Sequence, residues 1–325
     1  MATPTRILAA FGLCAALVAP WAHAAYPEEG RAIRIVIGFT AGGATDGQVR
    51  AVAQRLSGVL KTPVIVENRP GASTIVATTT VIRAQPDGYT LLYSPSSTVA
   101  QNPHTLLQAD YDPFKDLTPI TLAARGPLVL VAHESTGAKT VAQLVDYVKA
   151  NPGKLSYASF GTGTSSHIIG EMFARKNGLD ITHVPYKGGA DAARDLLSGR
   201  VTYMFDAAPN AITAQQTGRA NLLAVPSAER STTLPDVPTL TEAGVEGLAL
   251  PSWMAFYGPP GLPQDVVQTL NRAIGESLQA EEVAKFFQMG AYTVSPSTPE
   301  ALTQITRETY DLWGKVIQDA GIEKQ

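Results

Sequence analysis

Three loops contain the residues of this sequence whose types suit the binding of a small oxyanion. In each loop an apolar, β-rich run leads into an amphipathic helical pattern, so that backbone N–H groups and a helix N-terminus can face an anion. The candidate ligand-binding residues of the first loop are Thr40, Ala41, Gly42, Gly43 and Asp46. Its paired glycines would let the backbone approach a ligand without obstruction by a side chain. An ordinary strand-to-helix turn with a helix cap explains the same residues equally well.

The second loop combines glycines with hydroxyl side chains. Its candidate residues are Gly161, Thr162, Gly163 and Thr164. Hydroxyls and amides at a helix start suit a carboxylate, although a well-capped helix start is the alternative. A dinucleotide fingerprint would need glycine at position 166, where this chain has Ser166, so we expect no cofactor.

The third loop offers an aromatic ring and a positive charge. Its candidate residues are Tyr186, Lys187 and Gly188. Tyr186 could hydrogen-bond or stack on a ligand, and Lys187 could contribute charge, while simple solvation at the surface is the alternative for the lysine. Asp206 ends a further predicted strand, and the carboxyl ends of strands in an open α/β sheet are where ligands gather. We therefore expect Asp206 near the same edge as the three loops.

Patterns for catalysis or metal binding are weak. Beyond residue 24 the histidines are His104, His133, His167 and His183, and no two have the H-x-x-x-H spacing of a metal site. The segment from Gly163 to His167 lacks the closing glycine of a nucleophile elbow. We expect no catalytic residue and no metal, and retain as an alternative a hydrolase that uses Ser165 or Ser94 with His167.

Composition excludes several classes of protein. The chain has 325 residues, of which 45% are hydrophobic and 16% charged, so it can bury a core and two domains are expected. Its formal net charge is −3 without a basic run, which argues against nucleic acid as a partner. The single cysteine excludes a disulfide framework.

The N-terminus reads as a secretory signal peptide over residues 1–24. Arg6 precedes an apolar stretch from Ile7 to Val18, and Ala22-His23-Ala24 provides an A-x-A cleavage site. Cleavage after Ala24 would remove Cys14 and yield an exported, cysteine-free protein. No later segment is apolar enough to span a bilayer.

Alternating strand and helix patterns predict two α/β units with parallel sheets. In the first unit we predict strands Ile33–Ile37, Pro63–Val66 and Thr90–Tyr93, and helices from Asp46 to Leu60 and Ser73–Ala84. The second unit follows with helices Val141–Lys149, Ser165–Lys176 and Asp191–Leu197, and strands Leu155–Ala158, Ile181–Val184, Thr202–Phe205 and Asn221–Val225. Helices Asp265–Gln279, Glu281–Met289 and Glu300–Asp319 complete the chain.

Two apolar runs are predicted to carry the chain between the units. These runs are Ile120–Ala132 and Pro251–Gly258. They divide the chain into a lobe of residues 25–124 and 252–325 and a lobe of residues 125–251, with a cleft between the lobes.

The chain resembles the substrate-binding proteins of tripartite tricarboxylate transporters, also called Bug receptors. The resemblance is carried, in order along the chain, by Ile37–Asp46, Glu67–Ala72, Gln85–Leu91, Tyr157–Glu171, Val184–Ala190, Arg230–Gly244, Trp253–Pro263 and Trp313–Ile322. It implies a periplasmic-binding-protein-like fold of type II, in which two α/β lobes close on a small ligand. It also implies a periplasmic, monomeric receptor that captures a small carboxylate, namely a di- or tricarboxylate, an amino acid or an aromatic acid, and passes it to two membrane subunits. A receptor for a signalling partner is the alternative.

The resemblance adds ligand contacts after the third strand. These residues are Ser94, Ser96 and Thr98. It further implies that backbone amides, hydroxyls and water hold the ligand carboxylate. The chain departs from the family pattern at Thr40-Ala41, Ser73-Thr74 and Asp191, all beside the expected cleft. The identity of the ligand therefore cannot be transferred from a relative.

Overall fold

The structure is a computed structural model that describes residues 26–325. The predicted signal peptide, residues 1–24, lies outside them. The described residues form two α/β units, each built on one sheet, and this confirms the predicted fold class. No helix between residues 26 and 325 combines the length and apolar character that a bilayer span requires.

The first sheet has six strands. In spatial order they are β11 (Thr293–Val294), β4 (Thr118–Arg125), β10 (Trp253–Gly258), β3 (Thr90–Pro95), β1 (Ile33–Ile37) and β2 (Val64–Asn68). β1 is parallel to β2 and β3, whereas β10 is antiparallel to both β3 and β4. The sheet is mixed rather than parallel, because the strand that returns from the second unit enters it from the opposite direction.

The second sheet has five strands. In spatial order they are β7 (Thr182–Pro185), β6 (Ser156–Ser159), β8 (Tyr203–Ala207), β5 (Leu128–His133) and β9 (Ala220–Ala224). β6 is parallel to β7 and β8, and β5 is antiparallel to β8 and β9. Each sheet thus combines a parallel part with antiparallel strands near the passage between the units.

Helices cover the sheets and connect the parallel strands. They are α1 (Ala44–Leu60), α2 (Ile75–Ile82), α3 (Ser96–Ala100), α4 (Asn102–Thr105), α5 (Val141–Lys149), α6 (Ser165–Asn177), α7 (Gly189–Leu197), α8 (Ala208–Gln216), α9 (Gln264–Gln279), α10 (Glu281–Met289) and α11 (Pro299–Asp319). The predicted bounds of α5 and α10 are confirmed. α8 was not predicted from the sequence, because its buried residues Ala208, Ala211 and Ala214 are small and give a weak apolar pattern.

The expected continuous strand material from Ile120 to Ala132 is two strands. β4 ends at Arg125 and β5 begins at Leu128, with Gly126 and Pro127 between them. Proline has no N–H to donate to a sheet. A Cβ on Gly126 would lie 2.4 Å from the Tyr292 ring, so that only glycine fits this close approach. Because the residues on both sides of Gly126-Pro127 are apolar, the sequence pattern did not indicate that one strand ends there and another begins.

The sequence predicts a capping box at the start of α1, because Thr45 and Gln48 have the required spacing. This prediction is wrong. The helix begins at Ala44 after Gly43, and no side chain caps it. Gln48 instead lies buried, where its Oε1 accepts a hydrogen bond of 2.9 Å from the Tyr93 hydroxyl. The Gln48 side chain therefore forms a tertiary hydrogen bond and not the helix cap that its local spacing predicts.

The heptad-like spacing of Leu302, Ile305, Leu312 and Val316 predicts that these four residues form the packed face of α11. This prediction is only partly correct. Leu312, which we expected on the packed face, is 40% exposed, whereas its neighbour Trp313 is fully buried. The buried face also includes Thr306 and Thr309, whose hydroxyls meet Tyr257 and Trp253 at 3.2 and 3.1 Å. The pattern misled because two polar residues contribute to the packed face.

α11 also packs against both units. Leu302 belongs to the core on one face of the first sheet, while Trp313 and Ile317 belong to the core of the second unit. Near the C-terminus, the Arg175 guanidinium donates a 2.7 Å hydrogen bond to the Ala320 carbonyl. The chain therefore spans the two units three times: after β4, before β10 and along α11. The lobe boundaries at residues 124–125 and 251–252 remain a prediction.

Candidate functional site

The first predicted loop follows β1 and is shaped by the carboxylate of Asp46. Asp46 accepts hydrogen bonds from the Gly42 N–H at 3.0 Å and from Asn68 Nδ2 at 2.9 Å, and it pairs with Arg50. Burial alone would raise the pKa of Asp46, but the hydrogen bonds from Arg50, Gly42 and Asn68 lower it below its ordinary value. Gly42 has a φ of +85°, which favours glycine. The Asp46 oxygens are thus used to hold the loop.

The first and third loops meet across the boundary between the units. A Cβ on Gly188 would lie 2.9 Å from Thr40 Oγ1 and 3.3 Å from the Thr40 nitrogen. A Cβ on Gly43 would lie 3.6 Å from the Ala190 nitrogen. The glycines of both loops therefore allow two backbones to approach each other, and the units are closed on one another in this structure.

The second loop faces residues of the first unit that the sequence did not single out as contacts. The Ser73 hydroxyl donates a hydrogen bond to the Thr162 carbonyl oxygen, and a Cβ on Gly161 would lie 2.7 Å from Ser73 Oγ. A Cβ on Gly163 would lie 2.7 Å from Thr105 Oγ1. Thr164 turns inward, where its hydroxyl donates to the Gly161 carbonyl at 2.7 Å.

The three residues that the resemblance adds lie buried where β3 leads into α3, with Ser94 in the strand and Ser96 and Thr98 in the helix. Thr98 Oγ1 is within hydrogen-bonding distance of the Ser94 hydroxyl and, at 2.8 Å, of Thr74 Oγ1. Ser96 Oγ has no hydrogen-bond partner among the described residues. Ser94 and Thr98 therefore belong to a chain of hydroxyls that continues to the segment before α2.

Asp206 is fully buried in β8, one residue before its end. Its Oδ1 accepts hydrogen bonds from the Ala207 N–H at 2.8 Å and from Asn210 Nδ2 at 3.0 Å. Its Oδ2 has no hydrogen-bond partner within residues 26–325. Burial raises the pKa of Asp206 to about 7, against the opposing effect of both hydrogen bonds. A Cβ on Gly189 would lie 3.6 Å from Oδ1, which places this carboxyl group beside the third loop.

Tyr186 and Lys187 have different surroundings although they are neighbours. The Tyr186 hydroxyl donates a 2.7 Å hydrogen bond to Asp195, and burial together with this carboxylate raises the pKa of Tyr186 to about 12. Lys187 is exposed and forms no ion pair with another described residue. The ring of Tyr186 is thus held by its own unit, while the ammonium group of Lys187 is exposed and has no ion-pair partner among the described residues.

The crevice between the units contains two cavities. The first, of about 550 Å³, is lined by Gly71–Ser73, Leu106 and Gln108 on one side and by Phe160–Thr162 and Pro185–Lys187 on the other. The second, of about 360 Å³, is lined by Gly42, Gly43, Gln48 and α10 on one side and by Pro209 and Asn210 on the other. Because the loop passes from Gly38 in the first cavity to Gly42 in the second, the Thr40–Gly188 contact lies between them.

Most of the predicted site residues lie at this crevice. Others form hydrogen bonds that hold the loops of their own unit in place. Thr40, Gly42, Gly43, Gly161, Thr162, Tyr186, Lys187 and Gly188 lie at the facing loops. Asp46, Ser94, Thr98 and Thr164 bond within their own unit. Sequence reasoning missed Ser73, Thr105 and Gln48 as members of the crevice. The signal for Gln48 was a polar residue directly beside Val49 and Val52 on the buried face of α1.

His167, the histidine of the hydrolase alternative, supports the second loop together with His183. His167 Nδ1 accepts the Gly163 N–H at 3.1 Å, and its ring stacks on His183 at 4.2 Å between centroids. His183 Nε2 lies 2.7 Å from Ser159 Oγ. Within residues 26–325 no hydrogen bond joins Ser165 or Ser94 to a histidine, and no three His, Cys, Asp or Glu side chains are placed to hold a metal ion.

Two α/β units that close on a polar crevice define a solute-binding receptor. The family model for the tripartite tricarboxylate transporter family receptor matches residues 48–322, and the chain belongs to this family. It is a family of substrate-binding proteins, not of enzymes.

Three solved structures have the same fold. The periplasmic binding protein BugD is 33% identical with a TM-score of 0.88, and the match covers 92% of this chain and 100% of BugD. Rpa4515 of R. palustris with adipate is 31% identical with a TM-score of 0.87 over 92% of this chain and 100% of its own. MatC of Rhodopseudomonas palustris with bound malate is 29% identical with a TM-score of 0.85 over 90% and 100%.

Proposed function

We propose that this receptor binds a small organic acid, through its carboxylate, in the crevice between its two units. The facing of strand-to-helix loops from both units, with Thr40 against Gly188, is the observation that carries the proposal. N–H groups and hydroxyls at helix starts favour an anion. Rpa4515 with adipate and MatC with malate support the same chemical class of ligand.

Ligand capture and closure of the units are one equilibrium in this mechanism. A ligand that contacts loops of both units binds the closed form more tightly than the open form and therefore shifts the population towards closure. The hinges are the passages at Gly126-Pro127 and at Pro251-Ser252, so that the moving lobes are residues 25–124 with 252–325 and residues 125–251. α11 is a third connection between them, because its C-terminal part packs on the second lobe. Closure then excludes water from the carboxylate and strengthens its hydrogen bonds.

The predicted site residues divide into two roles under this proposal. Thr40–Gly43, Gly161, Thr162 and Gly188 contact the ligand, and Lys187 contributes charge at the mouth of the first cavity. Ser96, with its free buried hydroxyl, is available to the ligand or to an ordered water. Asp46, Ser94 and Thr98 hold these groups in position, as their bonds within one unit indicate.

Thermal melting of the mature protein with a panel of acids tests whether the ligand binds through a carboxylate. We expect one or more acids at 100 times Kd to stabilise the fold by about 2.7 kcal/mol, which is roughly 5 °C in Tm. Amines and sugars of matched size are the controls. Stabilisation by a sugar or an amine, with none by an acid, would contradict the proposal.

Export and transport complete the proposal. We infer cleavage after Ala24, release of a monomer into the periplasm and delivery of the acid to two membrane subunits. N-terminal sequencing of the secreted protein tests the cleavage, and sedimentation tests the monomer. Uptake of the same labelled acid, with and without this gene, tests delivery; unchanged uptake would favour the signalling receptor instead.

A further inference from the structure

The first cavity of the crevice has largely apolar walls. Phe160, Pro185 and Tyr186 line it from the second unit, and Leu106 lines it from the first. The Tyr186 hydroxyl is bonded to Asp195, so this residue contributes its ring to the wall. Ligand pockets of this size, about 550 Å³, typically combine apolar walls with a few polar groups that orient the ligand. The cavity therefore suits a ligand with an apolar body.

Two side chains of these walls also join the units. The Phe160 ring meets the Phe39 ring of the first unit edge to face, with 6.4 Å between the centroids and 76° between the planes. Leu106 packs on the second loop, since a Cβ on Gly163 would lie 2.9 Å from Leu106 Cδ2. The apolar walls come from both units and are therefore complete only in the closed form.

The crevice contains little charge. Among the described residues that line its two cavities, Lys187 has the only charged side chain. One ammonium group balances one carboxylate. A second carboxylate would be buried among neutral side chains, and an uncompensated buried charge is costly. The charged side chains that line the crevice therefore match an acid with a single carboxylate.

We propose that the first cavity binds the apolar body of a monocarboxylic acid, an alkyl chain or an aromatic ring, and that Phe160 and Leu106 determine this specificity. The carboxylate lies at the loop amides and Lys187, and the body lies against Phe160 and Leu106. Burial of the body favours binding in proportion to the apolar area removed from water. This inference rests on the proposed function, because it names the class of acid for the same crevice.

Calorimetric titration of the wild-type receptor with linear acids from acetate to hexanoate tests the apolar cavity. We expect each added methylene to tighten binding about 3- to 4-fold until the chain fills the cavity. Binding should tighten in the same way from benzoate to phenylacetate and 3-phenylpropionate. Affinities that do not depend on chain length, or binding of malate alone, would overturn the apolar cavity and leave the proposed function standing. Failure of every acid to bind, malate included, would overturn both.

Hexanoate and adipate test the single carboxylate, because they have the same chain length and differ in a second carboxylate. We expect hexanoate to bind about 10-fold or more tightly than adipate. Equal or tighter binding of adipate would overturn the assignment to monocarboxylic acids. Lys187→Gln should weaken all linear acids about 2- to 5-fold, because the ammonium group is exposed, and should leave the effect of each methylene unchanged. Unchanged affinities in Lys187→Gln would contradict the charge match.

Two variants assign the chain-length dependence to the named side chains. Phe160→Ala and Leu106→Ala each remove apolar surface from one wall, so we expect the effect of each methylene to fall to about 2-fold or less. Phe160→Leu keeps an apolar wall and should retain most of the effect. Phe114→Ala is the matched control, since Phe114 also forms an edge-to-face contact, with Tyr310 at 5.4 Å, and does not line the cavity. An unchanged chain-length dependence in both alanine variants would overturn the assignment, even with weaker binding of every acid, because these residues would then act in closure alone.

Discussion

The Ser73 hydroxyl donates a hydrogen bond to the Thr162 carbonyl oxygen and so joins the two units directly across the crevice. Ser73 has a left-handed backbone with a φ of +52°, and it follows Ala72, whose φ is +42°. Non-glycine residues in this region are strained and persist where the surrounding structure holds them. The segment between β2 and α2 is therefore held in a conformation that presents Ser73 to the opposite unit.

Removal of this hydroxyl should favour the open form. We expect Ser73→Ala to weaken ligand binding about 3- to 10-fold, because a typical hydrogen bond contributes about 1 kcal/mol to the state that contains it. Calorimetric titration with the acid found in the melting panel measures the change. Ser198→Ala is the control, since within residues 26–325 the Ser198 hydroxyl donates a hydrogen bond only to the Asp195 carbonyl of its own unit. Equal affinities of Ser73→Ala and the wild type would contradict a role for this bond in closure.

A methyl group at Gly188 should obstruct closure without affecting the fold of either unit. The added Cβ would lie 2.9 Å from Thr40 Oγ1 in the closed form. We expect Gly188→Ala to weaken binding about 10-fold or more and to shift small-angle scattering towards an open shape. Gly58→Ala, where nothing lies within 4 Å of the new Cβ, is the matched control. Retained affinity in Gly188→Ala would show that the loops separate at this point in the ligand-bound form.

Truncation of Trp313 should destabilise the protein far more than truncation of its neighbour. Trp313 is fully buried in the core of the second unit, and Leu312 is 40% exposed. We expect Trp313→Ala to lower the free energy of unfolding by about 3–5 kcal/mol, and Leu312→Ala to change it by about 0.5 kcal/mol or less. Urea denaturation measures both values. Similar losses in the two variants would contradict the observed orientation of α11.

The contribution of Asp206 to the stability of the unliganded protein should fall as the pH rises from about 4 to about 7. Asp206 has a pKa raised to about 7 by burial, against 3.8 for the free group, so the folded state binds its proton more tightly than the unfolded chain in this window. Stability falls with pH wherever the folded state binds more protons, and about three pKa units correspond to about 4 kcal/mol.

The variant Asp206→Asn isolates this contribution. Burial lowers the pKa of His167 and His183, and these groups act in the opposite sense because the unfolded chain binds their protons more tightly. Subtraction of the unfolding free energies of the variant from those of the wild type removes the histidines. We expect the unfolding free energy of the wild type to fall relative to that of the variant between pH 4 and pH 7, and the difference to be constant above pH 7. A difference independent of pH would show that Asp206 titrates normally.

Local sequence patterns predicted most of the secondary structure. The limits of β1, α5 and α10 agree with the prediction because apolar periodicity, caps and turn residues act over a few neighbouring positions. The order of strands and helices also determined the class of fold and placed the candidate loops at strand ends. The same patterns did not predict α8, because its buried residues are small.

The tertiary structure decided which partner each polar side chain takes. Local spacing predicted that Gln48 caps a helix, but it accepts a hydrogen bond from Tyr93. It likewise predicted that Asp46 contacts a ligand, but Asp46 bonds Gly42, Asn68 and Arg50. The tertiary structure also decided that Trp313 rather than Leu312 is buried and that Ser73 reaches Thr162. These contacts join residues distant in sequence, and their energies depend on burial that only the folded chain defines. The sequence thus determined the two units and their loops, and packing between the units determined how the crevice is built.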